Sequence, residues 1–172
     1  MKKIPYNKQY IDDDDIQAVI RGLKSDFLTT GPNSEAFENK LKDYCQSKFA
    51  AVCSSGTSAL EIIIKCLNLK KNDVIVSSAI SFIAGANATI LNNLKVKFCD
   101  VDTSSGNMNL NFLENILKTE KNVKVVMPVH LAGEIVNLEK LSQMSKFYDF
   151  KIIEDACHSL GGSYNTEDQK NI

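Results

Sequence analysis

The chain has 172 residues, 44% of them hydrophobic, and a formal net charge of -1. That length suits one domain, the apolar content suffices for a core and excludes a disordered chain, and the lack of a basic excess disfavours nucleic-acid binding. No run of about 18 apolar residues occurs, so no membrane span is expected. Met1-Lys2-Lys3-Ile4-Pro5 has no apolar run behind its basic residues, so it does not read as a secretory signal.

The first 48 residues read as an arm and two helices. Tyr6 to Tyr10 is expected to be irregular. Asp12 to Asp15 then opens a helix, where acidic residues suit the positive end of the dipole. Ile16, Val19, Ile20 and Leu23 follow at helical spacing and predict one apolar face. The four aspartates read as a solvated helix start, and no metal site is assigned to them. Asp26 to Asn33 carries a Gly-Pro loop signature, and a second helix follows with Phe37, Leu41 and Tyr44 on one side.

From residue 49 to residue 162 strands and helices alternate. Phe49 to Cys53 is predicted as a strand, Ala59 to Leu67 as a helix, Asp73 to Ser78 as a strand and Phe82 to Asn92 as a helix. Val96 to Val101 is the next strand, Asn109 to Lys118 a helix, Val123 to Val129 a strand, Leu138 to Phe147 a helix, and Lys151 to Ile153 a last strand. Alternation of this kind implies crossover units, hence an α/β fold with a mostly parallel sheet and flanking helices. Residues 163–172 form a polar tail.

Ligands of an open α/β sheet collect beyond the carboxyl ends of its strands. Asp155 sits where the last strand runs out, with His158 three residues on. There it either holds a cation, such as a protonated ring nitrogen, or caps its turn. Ser54-Ser55-Gly56-Thr57-Ser58 leads a strand into a helix, which makes Gly56, Thr57 and Ser58 a phosphate cup or an ordinary helix cap. It is neither a P-loop nor GxGxxG. Phe82 follows a strand among small neighbours and either stacks on a planar ligand or belongs to the core. His130 ends another strand at the same edge.

The five cysteines, Cys45, Cys53, Cys66, Cys99 and Cys157, contain no CxxC pair and read as reduced thiols of a cytoplasmic protein. Neither His130 nor His158 belongs to a spaced ligand set, so no metal is expected. Cys157 and His158 are adjacent, and neighbouring side chains diverge, so they do not read as a nucleophile and its base.

Five segments, in order, resemble the DegT/DnrJ/EryC1/StrS family of sugar aminotransferases. They are Leu28-Thr29-Thr30-Gly31-Pro32, Ser55-Gly56-Thr57-Ser58-Ala59-Leu60, Ser81-Phe82-Ile83-Ala84, Pro128-Val129-His130-Leu131-Ala132-Gly133 and Ile153-Glu154-Asp155-Ala156-Cys157-His158. The first and third are most similar to the branch that aminates UDP-4-keto-6-deoxy-N-acetylhexosamines on the way to pseudaminic acid. The resemblance implies the N-terminal part of the large domain of a PLP-dependent transferase (aspartate aminotransferase-like) fold, with pyridoxal 5'-phosphate as cofactor. Asp155 would face the ring nitrogen and Phe82 the ring. Gly56, Thr57 and Ser58 would take the phosphate, and His158 would lie near the phenolic oxygen. A nucleotide-sugar substrate, glutamate as amino donor and a homodimer, or a partner supplying the missing half, are implied with them.

The family lysine that forms the Schiff base with the cofactor, in a Ser-Phe-His-x-x-Lys type segment, would lie beyond Ile172, and Lys170 is a poor substitute. No turnover by this chain alone is therefore expected. Two strands of the family sheet would be absent between the Gly56 strand and the Asp155 strand, leaving a gap of roughly 10 Å and exposed edges. Two other readings remain. One is a non-catalytic α/β module that binds a phosphate or a sugar nucleotide, the other an unrelated α/β phosphate-binding enzyme.

Overall fold

The computed structural model describes Pro5 and residues 8–163. Lys170, most of the polar tail and Tyr6 of the arm lie outside the described residues. Two units divide after Val52.

The first unit carries α1 (Asp13–Leu23) and α2 (Pro32–Tyr44). Asp12 caps α1: its Oδ1 accepts the Asp14 and Asp15 amides at 3.0 and 3.2 Å, and Asp15 Oδ2 accepts the Asp12 amide at 3.1 Å. The acidic run is thus a reciprocal capping box. Gly31 caps α2 and Pro32 occupies its first turn, where a missing N–H costs nothing. A Cβ on Gly31 would come within 2.8 Å of Phe27 Cβ, so only glycine fits there. Neither helix buries a residue.

One predicted strand is absent. Among the described residues, residues 49–53 pair with no other segment, and Phe49 is exposed. A strand needs a partner for its backbone groups, and here the Val52 amide goes to Glu38 Oε1 at 2.9 Å.

The second unit holds α3 (Gly56–Cys66), β1 (Val74–Ser78), α4 (Ala84–Leu91), β2 (Lys95–Cys99), α5 (Leu110–Thr119), β3 (Val123–Met127), α6 (Leu138–Tyr148) and β4 (Lys151–Ile152). The sheet runs β2-β1-β3-β4 and every pair is parallel. Central strands covered on both faces need apolar residues throughout, and β1 is buried along its whole length. Its alternation sends Ile75 to one side and Val74 and Val76 to the other. Ile75, Val125, Met127 and Ile153 pack with Leu60 and Ile64 of α3 and Ala84 and Ala88 of α4. Val74, Val76, Val123 and Val126 pack with Leu113 and Leu117 of α5 and Leu141 and Met144 of α6. A register shift after Val74 skips Lys124, which lets Val123 and Val126 share a face.

The small residues of α4 bring it close to the sheet. A Cβ on Gly85 would sit 2.8 Å from Met127 Sδ. Thr89, fully buried, returns its hydroxyl to the Gly85 carbonyl at 2.8 Å. Among the described residues the outer edge of β4 meets no strand, and no helix is long and apolar enough to cross a membrane.

Candidate active site

The carboxyl ends of β3 and β4 stay joined past the strands themselves. Val129 and Asp155 form a parallel bridge. The Asp155 amide donates to the Pro128 carbonyl at 3.0 Å, and the His130 amide donates to the Asp155 carbonyl at 3.1 Å. Asp155 is thereby fixed at the sheet edge with 9% of its surface exposed. Its Oδ1 accepts the Cys157 amide at 3.2 Å, so the turn-capping reading holds for one carboxylate oxygen.

The same carboxylate acts on the Cys157 thiol. A hydrogen bond to Asp155, partial burial and the carboxylate's charge push that thiol up to about 11. Cys157 is exposed but protonated at neutral pH, which does not suit a nucleophile.

The Ser54 to Ser58 turn opens α3 from the side of that site. Ser55 is the cap, with its Oγ accepting the Ser58 amide at 3.2 Å. The Ser54 and Ser55 hydroxyls each lie 3.1 Å from Ser58 Oγ. Among the described residues the amides of Gly56 and Thr57 have no acceptor, as expected of a first turn. A Cβ on Gly56 would sit 3.3 Å from Cys157 Sγ. The helix end and the turn after β4 are therefore in contact, and the positive end of the α3 dipole lies beside the Asp155 segment.

Phe82 lies between β1 and α4 and is 73% exposed, so it is not part of the core. His158 is exposed, and its Nδ1 accepts the Ala132 amide at 3.3 Å. His130, by contrast, is buried. It is 2% exposed, its Nδ1 accepts the Val136 amide at 3.3 Å and its Nε2 lies 2.9 Å from Glu154 Oε2. An Nδ1 that accepts leaves the proton on Nε2, so the ring donates to Glu154. His130 thus builds the strand end and offers nothing to a ligand. Glu154 had no mark in the sequence beyond its place before Asp155, because pairing across 24 residues has no local signature.

Within the first unit, the Leu28 to Gly31 segment lines a cavity of about 290 Å³ together with Val19, Leu23 and Phe27.

A family model described as the DegT/DnrJ/EryC1/StrS aminotransferase family matches residues 9–171. The chain belongs to that family. It is 33% identical over 165 residues to the UDP-4-amino-4,6-dideoxy-N-acetyl-beta-L-altrosamine transaminase of Campylobacter jejuni, covering 95% of this chain and 43% of that protein. It is 34% identical over 161 residues to an uncharacterized protein of Methanocaldococcus jannaschii, covering 94% of this chain and 41% of that one. Among solved structures it is similar to PseC of Helicobacter pylori, an aminotransferase involved in the biosynthesis of pseudoaminic acid. The TM-score is 0.88 at 28% identity, over 95% of this chain and 44% of that one. The PLP form of a putative sugar aminotransferase from Streptococcus pneumoniae superposes with a TM-score of 0.84 at 26% identity, over 92% and 44% of the two chains. The chain thus spans less than half the length of these relatives. Pyridoxal phosphate is the cofactor of this aminotransferase family, and the Streptococcus pneumoniae protein is known in both PLP and PMP forms.

Proposed function

We propose that this chain is the cofactor-holding part of a sugar aminotransferase that takes a UDP-linked 4-keto-6-deoxy-N-acetylhexosamine, with glutamate as amino donor, in the branch leading to pseudaminic acid. One observation carries the reading: the turn that follows buried Asp155 touches the start of α3, where the Gly56 and Thr57 amides have no acceptor among the described residues. An acid and an anion cup then share one edge, which is what a cofactor with a cationic ring and a phosphate arm requires. The sugar and donor rest on the similarity to the altrosamine transaminase.

When bound, pyridoxal phosphate would supply the electron sink for the bond-breaking electron pair and carry the amino group between donor and acceptor. Asp155 keeps a proton on the pyridine nitrogen, held rigid by its backbone bonds to Pro128 and His130. The Gly56 and Thr57 amides and the Thr57 hydroxyl take phosphate oxygens, and Ser58 keeps its neighbouring hydroxyls oriented. Phe82 offers an exposed ring face for stacking. His158 donates from Nε2 to the phenolic oxygen, since its Nδ1 is occupied. The Schiff-base lysine of the family matches none of the 172 residues, so in this reading these residues hold and orient the cofactor and do not by themselves transfer the amine.

Pyridoxamine phosphate tests the site without labelling surface lysines, because it has no aldehyde. Calorimetric titration of the chain is expected to show saturable binding, weakened about tenfold to a hundredfold in Asp155→Asn, the loss of one charged hydrogen bond. Absence of binding by a chain with folded circular dichroism, or equal binding by Asp155→Asn, would overturn the reading. The sugar is tested on the protein expressed from its full genomic frame. With glutamate and the UDP-linked keto sugar, no amino-sugar product by mass spectrometry would remove the substrate assignment and leave the cofactor site standing.

A further inference from the structure

The turn that holds His158 is itself held from outside the site. Asn107 lies between β2 and α5, is buried, and reaches across to the segment after β3. Its Nδ2 donates to the Glu134 carbonyl at 2.9 Å and its Oδ1 accepts the Leu131 amide at 3.0 Å. One side chain thus grips both ends of the turn from Leu131 to Glu134. Inside the turn the Gly133 amide returns to the His130 carbonyl and the Glu134 amide to the Leu131 carbonyl.

Between those ends Ala132 adopts φ 55° and ψ 21°, a left-handed conformation that an alanine does not take by preference. Such a conformation persists where its surroundings over-determine it. The amide it presents is the one His158 Nδ1 accepts. Gly133 follows at φ 88°, and a Cβ there would lie 3.2 Å from the His158 carbonyl, so the turn also packs directly on the His158 backbone.

We propose that Asn107 is a positioning residue for His158. By clamping the Leu131 to Glu134 turn it aims the Ala132 N–H at His158 Nδ1, which fixes the ring orientation and confines its proton to Nε2. This rests on the reading of His158 as a cofactor contact, and it adds the device that makes His158 a donor there. Without the clamp Ala132 relaxes from its left-handed conformation, Nδ1 loses its donor, and the neutral ring is free to hold its proton on either nitrogen.

The test reads the ring directly. With the histidines of the chain labelled with nitrogen-15, long-range proton–nitrogen spectra at a pH where the rings are neutral distinguish the two tautomers of His158. The unmodified chain is expected to show Nε2–H alone. Asn107→Ala, and the milder Asn107→Asp, which keeps the acceptor for Leu131 but repels the Glu134 carbonyl, are expected to show both tautomers in exchange and to bind pyridoxamine phosphate about fivefold more weakly, one neutral hydrogen bond. A His158 proton on Nδ1 in the unmodified chain overturns the proposal whether or not a variant folds. So does a His158 spectrum unchanged in a folded Asn107 variant. A ring that responds to Asn107 in a chain that binds no pyridoxamine phosphate supports the clamp and removes the cofactor reading instead.

Discussion

Helices α1 and α5 are built alike in sequence: each carries apolar residues at helical spacing and an Asx cap at its start. In α5, Leu110, Leu113 and Leu117 are buried against the sheet. In α1, Ile16, Val19 and Leu23 stay exposed, Val19 to 63%. The stripe states which face would gain from cover. Whether that gain is realised depends on a surface that other segments must build, and among the described residues the sheet lies in the second unit.

The sharpest way to break the contrast is Leu113→Ala. Leu113 is fully buried, so the lost transfer energy and the cavity left behind should cost about 3 kcal/mol, read by denaturant titration. A cost near zero would mean that the second unit is no better packed than α1.

Next in size is a probe of a residue that is exposed in the second unit yet constrained. The Cys157 thiol is raised from 9.0 to about 11. That cuts its thiolate fraction about a hundredfold at neutral pH, while a more basic thiolate regains about tenfold in intrinsic reactivity. Cys157 should therefore alkylate with iodoacetamide about tenfold more slowly than a cysteine peptide, and Asp155→Asn should recover much of that rate. Equal rates would detach Cys157 from Asp155. The sign for stability follows from the same shift. Cys157 supports the fold fully below pH 9.0 and withdraws that support as pH rises through about 11.

Smaller effects belong to α1. Asp12→Ala removes the side-chain acceptor of its capping box, leaving the residue-12 amide to Asp15, and should cost about 1 kcal/mol of local helix stability, read as faster hydrogen exchange at the Asp14 and Asp15 amides. Val19→Ala is expected to change the stability of the chain by less than about 0.5 kcal/mol in the same denaturant titration. A cost above about 1 kcal/mol would show that α1 is covered in solution, and the contrast with α5 would lapse.

The alternation of strands and helices was legible because each element in the second unit has its own local signature. Ile75 and Val76 read as strand from β-branching, and Leu110, Leu113 and Leu117 as helix from spacing. Residues 49–53 show where that logic fails: they are apolar enough for a strand, yet strand formation is a property of a pair, and no partner adjoins them among the described residues. The site divides in the same way. Asp155, Gly56 and Phe82 could be singled out because strand ends and small-residue turns have known positions in an α/β sheet. His130 could be found but not understood, since the Glu154 carboxylate that accepts its hydrogen bond is fixed only in three dimensions.

What the sequence determined by itself is therefore the order and kind of the second unit's elements and the chemistry of its strand ends, because periodicity, caps and turn residues act over a few positions. What the tertiary structure decided is contact between segments far apart in the chain. Gly56 meets Cys157, and Asn107 grips the turn that holds His158. Hydrogen bonds and van der Waals contacts reach only a few ångströms, and it is the pairing of the strands into one sheet that brings those residues within that reach.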